Sequence, residues 1–460
     1  MIALRPRFLS GSGLVARAAR SSLITFLGFG GGQALRLASN LVLTRLLFPE
    51  AFGLMALVTV VLIGLGMFSD VGIGPSIMSS KRGDDPDFLD TAWTIQILRG
   101  LVLFAAICAL AWPVAQFYRE PALLALLPAM GGTLIVDGFR PTAYEVQNRH
   151  LRAGLVTAVE LAIQAIGVAV AILFAWAWGS VWALVVSGYA ASLANVVLAT
   201  LILPGPRNRL RWESAAAHEL VHFGKWIFLS TVCGFFIMQA DKLILGRALT
   251  LENFGVYSIG YFLASFPIIL GGALMRRLVI PVYRESPPAE SRANALRVRR
   301  MRAVATAGLG TLLLAVAALG PWLVRLMYDD RYEAAAGIVT AVAAAQIPVL
   351  IMQSCDQAAL AYGDSRRFFR LTLVRAVATV AGIVAGLFVG GLLGAACGMA
   401  LAGIAVYPVL AWLNRPHGAW DPVHDAGFFF LLSVLAAIVL WYHRADLLPL
   451  LQMGHGLTAR

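Results

Sequence analysis

The chain has 460 residues, 60% of them hydrophobic and only 13% charged, with a mean hydropathy of +0.79. That balance excludes a soluble globular domain and places the protein in a lipid bilayer. The net charge of +12 does not signal a nucleic-acid partner, because the basic residues are spread loop by loop instead of gathered in one patch.

The first 20 residues carry Arg5, Arg7, Arg17 and Arg20, and a long apolar stretch follows. A cleaved signal peptide needs a short apolar core and an early small-residue cleavage site. Here the apolar run continues through Gln33, Arg36 and Asn40 to Leu47, which predicts a retained first helix. Further spans of roughly 20 or more apolar residues, enough to cross a bilayer, are predicted at about 52–79, 88–117, 122–147, 152–177, 181–203, 222–246, 254–283, 303–327, 333–359, 368–390 and 392–413. A thirteenth is expected at about 427–443. With the N-terminus inside, the inner loops hold 22 Lys and Arg residues and the outer loops 3. The positive-inside rule therefore predicts a cytoplasmic N-terminus. Residues 284–302 are expected on the cytoplasmic side, either as an amphipathic helix on anionic headgroups or as a solvated loop.

An internal repeat organises these spans. NLVLTRLLFPEAFG, beginning at Asn40, aligns without a gap on KLILGRALTLENFG, beginning at Lys242. Leu41/Leu243, Leu43/Leu245, Arg45/Arg247, Leu47/Leu249, Glu50/Glu252, Phe52/Phe254 and Gly53/Gly255 coincide. Six spans separate the copies, so the second half re-enters with the orientation of the first. The expected fold is an all-α polytopic membrane protein: two parallel-related six-helix bundles around a central cavity, plus an extra C-terminal helix. The expected divisions are 1–203 for the first bundle, 204–221 for a cytoplasmic linker, 222–415 for the second bundle and 416–460 for the extension.

Few motifs argue for chemistry. His218-Glu219-Leu220-Val221-His222 fits the zinc-protease pattern, but it leads from a loop into a span and no further ligand is evident. Gly28-Phe29-Gly30-Gly31-Gly32 lacks the preceding strand and following Lys-Ser/Thr of a phosphate loop, so these glycines are read as points of close helix contact or bending. Cys108, Cys233, Cys355 and Cys397 are scattered in apolar runs, as small core residues are. No catalytic constellation stands out, so neither an enzyme nor a metal or other cofactor is expected.

Charges at membrane depth carry more information, since they are costly there and face a cavity or one another. Arg45, Arg276, Arg277, Arg325 and Arg375 lie near span ends, where they can reach the headgroups. Arg36, Arg99, Arg140 and Lys242 lie deeper, as do Asp70, Asp137, Glu160 and Asp241, with Asp356 nearer the cytoplasmic side. Gln33, Arg36 and Asn40 share one face of the first helix. In the second half the cation moves by about one turn to Lys242, flanked by Gln239 and Asp241. Arg36 and Lys242 either bind an anionic substrate or pair internally, Lys242 with its neighbour and Arg36 with a carboxylate such as Asp70. Asp137 and Arg140 are expected to pair within one helix. Arg99, beside Gln96, is a further cavity candidate. Glu160, on one face with Gln164, is either an ion site or a partner for Arg99. The candidate substrate-binding set is thus Arg36, Asn40, Gln33, Arg99, Gln239 and Lys242, with Asp70, Glu160 and Asp241 as candidate ion-coupling residues.

SNLVLTRLLFPEAFGLMALV from Ser39, SDVGIGPSIMSSKRGDDPDFLDTAWTIQILRG from Ser69, and FGKWIFLSTVCGFFIMQADKLILGRALTLENFGVYSIG from Phe223 resemble the Wzx-type oligosaccharide flippase (polysaccharide transporter) family. Its superfamily also holds multidrug extruders and the lipid II flippase. The likeness covers nearly the whole chain and rests on family-level signatures. It implies translocation of an undecaprenyl-diphosphate-linked oligosaccharide across the bacterial inner membrane, for exopolysaccharide, capsule or O-antigen assembly. It also implies reading of the diphosphate by cations on the first and seventh helices, where Arg36 and Lys242 stand. Expected partners are the lipid-linked substrate, membrane lipids, and a polysaccharide polymerase with its export machinery. The competing readings are a cation-coupled multidrug exporter, for which acidic cavity residues would be more fitting, a lipid II flippase, and a non-transporting scaffold.

Overall fold

A computed structural model describes residues 14–453 except 71, 151 and 363; for 14–27, 153, 221–228, 276–278, 280, 360 and 365 it describes the backbone alone. Arg5 and Arg7 lie outside the described residues, as do the side chains of Arg17, Arg20, His222, Lys225, Arg276 and Arg277. The zinc-protease match at His218–His222 therefore falls partly outside them.

The described residues form helices and connections, with no strand among them. In order they are α1 (Leu14–Leu46), α2 (Pro49–Phe68), α3 (Ile73–Ser79), α4 (Pro86–Tyr118), α5 (Leu123–Gly138), α6 (Ala143–Arg149), α7 (Ala153–Trp178) and α8 (Trp182–Ile202). There follow α9 (Ser214–Ala248), α10 (Leu251–Glu285), α11 (Arg292–Met327), α12 (Ala335–Ala345), α13 (Ile347–Gln353), α14 (Ala358–Ala361), α15 (Ser365–Asn414), α16 (Pro422–Tyr442) and α17 (Arg444–Gln452). Among the described residues nine helices are long and apolar enough to cross a membrane, or up to 11 if each bent pair is one span. The all-helical membrane fold expected from sequence is borne out.

Three predicted spans are not single rods. The span expected at 52–79 breaks after Phe68 and resumes as α3, with Gly72 left-handed at φ 65°. The span expected at 122–147 bends by 62° between α5 and α6, and the one at 333–359 by 43° between α12 and α13. Hydropathy averages over such breaks. At the first two, neighbouring side chains satisfy freed backbone groups. Conversely, α15 joins two predicted spans across Gly390 and Gly391, the latter at φ 57° and ψ −141°. Its two arms fold back on each other through glycines: a Cβ on Gly386 would overlap the Gly394 carbonyl, one on Gly394 the Gly386 carbonyl, and one on Gly382 that of Gly398. Small residues at four-residue spacing allow that backbone approach.

The chain divides into two compact units, one of residues 1–48 and 61–231, the other of 49–60 and 232–460. In the first unit the α1 glycines meet α7: a Cβ on Gly28 would overlap Thr157, and Gly32 lies against Gln164. The close contact read from the glycine run is thus present. Residues 204–221, expected as a linker, become helical at Ser214. Near that start, Arg82 bridges Asp85 at 2.6 Å and Glu213 at 2.7 Å, and Ser80 donates to Glu219 at 2.7 Å.

In the second unit the basic stretch 284–302 proves largely helical, ending α10 and opening α11, whose cap is Ser291 accepting from the Asn294 amide. Arg302 is no loop residue. It is 1% exposed and pairs at 2.5 Å with Asp425 of α16, itself 2% exposed. The described part of the extension, residues 416–453, is therefore fastened into the second unit by a buried ion pair. α17 follows α16, and Met453 O accepts from the Leu392 amide at 2.8 Å.

Candidate functional site

In the first unit, α4 serves both helix breaks. At the α2–α3 break Arg99 donates to Ser69 Oγ at 3.0 Å and to Gly66 O at 2.6 Å. One turn earlier, Gln96 Nε2 lies 3.1–3.2 Å from the carbonyls of Asp137, Gly138 and Arg140 at the α5–α6 break. Trp93 Nε1 donates to Phe139 O at 3.2 Å. A cation on the last carbonyls of α2 also complements the negative end of its dipole. Asp70 accepts from the Gly72 amide at 2.8 Å, closing the turn that leads into α3.

The expected Asp137–Arg140 pair is corrected by the structure. α5 ends at Gly138, so the two residues do not lie on one continuous helix, and Arg140 pairs with Glu145 of α6 at 3.0 Å. The Arg140 guanidinium also lies 4.6 Å from the Tyr144 ring centroid, and Tyr144 OH donates to Glu160 of α7. Glu160 thus faces a tyrosine, and Arg99 is held by α2. Gln164 uses its amide on Gly32 O of α1 at 2.8 Å.

On α1, Arg36 is exposed while Gln33 and Asn40 are half-buried. Among the described residues the Arg36 guanidinium makes no ion pair. The Asn40 carbonyl accepts from Thr44 Oγ1 at 2.8 Å, leaving its side-chain amide out of that bond. Arg36 is thereby unlike Arg99 and Arg140, whose guanidiniums are committed to partners inside the unit.

In the second unit Lys242 and Asp241 form one cluster. Lys242 Nζ lies 3.3 Å from Asp241 and 4.0 Å from the Tyr261 ring centroid. Tyr257 OH donates to Asp241 Oδ2 at 2.7 Å, the same oxygen that lies nearest Lys242. The Asp241 side chain is 5% exposed and that of Lys242 19%, so the carboxylate is the buried partner and the ammonium the more open one. Gln239 is buried. The local pairing that sequence offered for Lys242 is present. Deeper along α10, Ser265 accepts from Gln346 at 3.3 Å, and Gln353 Nε2 donates to Ile268 O at 3.1 Å.

Other charges read singly turn out to be paired. Arg375 meets Asp356 at 3.3 Å, and Arg325 meets Asp446 of α17. Sequence reasoning missed Tyr144, Tyr257 and Tyr261, which surround the acidic candidates. Their signal was present: Tyr257 and Tyr261 lie four apart, on one helical face. It missed Asp425 as well, which lies next to His424 at the start of an otherwise apolar helix. Among the described residues no three His, Cys, Asp or Glu side chains converge as a metal site would require.

The geometry therefore offers an exposed guanidinium on α1 and a paired ammonium on α9, each within a polar face of an apolar helix. The family described as "Polysaccharide biosynthesis protein" matches residues 42–337. The succinoglycan biosynthesis transport protein ExoT of Rhizobium meliloti (strain 1021) is 20% identical over 385 residues, covering 83% of this chain and 77% of the relative. The amylovoran biosynthesis protein AmsL of Erwinia amylovora is 22% identical, covering 54% of this chain and 64% of the relative. The lipopolysaccharide biosynthesis protein WzxC of Escherichia coli (strain K12) is 21% identical, covering 61% and 55%. The chain thus spans less than two thirds of the latter two relatives. Among solved structures, the lipid II flippase MurJ in an inward closed conformation superposes with a TM-score of 0.66 at 11% identity, covering 93% of this chain and 92% of that one. An inward-facing MATE family multidrug transporter gives 0.57 at 14% identity, covering 84% and 95%. At such identities the likeness is one of fold.

Proposed function

This chain belongs to the polysaccharide biosynthesis protein family, and from that premise we propose that it is a flippase. Its substrate is an undecaprenyl-diphosphate-linked oligosaccharide, moved from the inner to the outer leaflet of the bacterial inner membrane for exopolysaccharide, capsule or O-antigen assembly. The observation that carries this reading is the family match over residues 42–337, and the exposed Arg36 supports it.

The physical argument concerns where charge must travel. A diphosphate is a compact anion, and its transfer through a low-dielectric region is costly unless cations lie along the path. Arg36 offers a planar fork suited to two phosphate oxygens. Lys242 offers a point charge whose partner, Asp241, is already beside it, so substrate must compete with that carboxylate. Gln33, Asn40 and Gln239 supply neutral hydrogen bonds for the sugar, and the polyprenyl tail stays in lipid. Arg99 belongs to the path only through its backbone clamp on α2. Asp70, Glu160 and Asp241 are the proposed ion-coupling carboxylates. The N-terminus is cytoplasmic in this scheme, the polymerase and export machinery act on the product, and no catalysis is assigned.

The test is to deplete the protein and measure lipid-linked oligosaccharide on each leaflet. The expected result is accumulation on the inner leaflet, reversed by the wild-type chain. Unchanged leaflet distribution together with lost efflux of cationic drugs would replace this reading with that of a multidrug exporter.

A further inference from the structure

α11 carries its charge at one end. Arg292, Arg297, Arg299, Arg300 and Arg302 occupy its first three turns, and no charged residue follows until Arg325. At about 1.5 Å per residue the 36-residue helix exceeds the roughly 30 Å hydrocarbon core, so its charged start projects into the headgroup region. At that level a cleft of about 300 Å³ opens between the start of α11 and the segment Gly418–Pro422 leading into α16.

The cleft is lined by Arg292, Arg299, Arg302, Trp420 and Asp421, with apolar residues between them. Arg302 is fixed by Ser354 Oγ at 3.0 Å, Ala419 O at 3.1 Å and Asp425 at 2.5 Å. Arg299 pairs with Asp421. Arg292 is exposed and makes no ion pair among the described residues. Arg415 lies 6.0 Å from the Trp420 ring centroid, adding a fourth guanidinium beside the wall. Four cations thus meet two carboxylates, leaving a surplus of positive charge around a concave site. The volume suits one polar headgroup and is too small for an oligosaccharide. Tryptophan at such a boundary is common, since its ring tolerates both media.

We propose that this cleft binds a phosphate ester, with Arg292 as the contacting cation and Arg299 shared between the ligand and Asp421. The source is the headgroup of an anionic membrane lipid or a soluble phosphate ester of the same chemistry. The site does not involve Arg36, Lys242 or Asp241, and its test requires no transport.

The experiment is native mass spectrometry of the full chain in neutral detergent, with phosphatidylglycerol and phosphatidylcholine offered separately. The wild type should retain phosphatidylglycerol about tenfold better than phosphatidylcholine, and Arg292→Glu should lower that retention about tenfold, with Arg292→Lys keeping most of it. Glutamate in the first turn is compatible with the helix dipole, so the variant should keep the wild-type Tm without lipid. Displacement of phosphatidylglycerol by millimolar sn-glycerol 3-phosphate assigns the cleft to soluble esters as well, and failure to displace assigns it to lipid. Equal retention of the two lipids, or phosphatidylglycerol binding unchanged in a folded Arg292→Glu variant, overturns the proposal.

Discussion

Gly53 and Gly255, equivalent residues of the internal repeat, face one another across a helix crossing in the second unit. A Cβ on Gly53 would overlap the Leu251 carbonyl, and one on Gly255 would overlap the Pro49 carbonyl. Leu251 and Pro49 are themselves 202 residues apart, so the contact is reciprocal and describes a local two-fold between α10 and the start of α2. Glycine at both positions lets backbone meet backbone at this crossing.

Gly53→Ala and Gly255→Ala should each destabilise the protein by about 1–3 kcal/mol, since neither helix can retreat without unpacking its neighbours. Gly66→Ala is the control, for beyond its own stretch of helix no atom lies within 4 Å of its Cβ position, and alanine is the better helix former by up to about 1 kcal/mol. Detergent thermal unfolding reads all three. Equal Tm values for Gly53→Ala and Gly66→Ala would deny the crossing.

Arg36→Ala should abolish polymer export while Arg36→Lys retains part of it, because lysine keeps the charge but loses the fork. Inner-leaflet lipid-linked oligosaccharide, normalised to folded protein, is the measurement. A purely structural Arg36 would show itself as lost protein instead. Full export by well-expressed Arg36→Ala would remove Arg36 from the site.

Arg302→Ala and Asp425→Ala should each cost about 3–5 kcal/mol, because the surviving charge is left buried without its partner. Replacing both, as Arg302→Met with Asp425→Leu, should recover much of the loss, since the desolvation of two ions is then avoided. A double variant no more stable than the singles would show that Ser354, Ala419 and Tyr407, which also bond this pair, matter more than the charges.

Outside the spans, the Arg82 hydrogen bond holds both Asp85 and Glu213 below the usual carboxylate range. A depressed carboxylate contributes stability above its unfolded pKa of about 4 and loses it as pH falls through the lower folded value. The Tm difference between wild type and Glu213→Gln should therefore be constant near neutrality and shrink below about pH 4. A difference unchanged at pH 3 would exclude this bridge as its source.

The sequence by itself determined the membrane class, the helical fold and the repeat, because hydropathy and the 202-residue spacing are properties of the chain read in order. It also singled out Arg36 and Lys242 as candidate cations. Tertiary structure decided their company: Lys242 lies beside Asp241 and Tyr261, while Arg99 is held at the end of α2. The breaks after Phe68, Gly138 and Ala345 were likewise invisible, since the residues that stabilise the first two, Arg99 and Gln96, lie on another helix. Arg302 makes the same point. Its basic stretch read either as a helix on the headgroups or as a solvated loop, and only the packing of α16 brought Asp425 within reach and buried the charge. Periodicity and composition are local sums, whereas the partner of a charge is set by long-range packing.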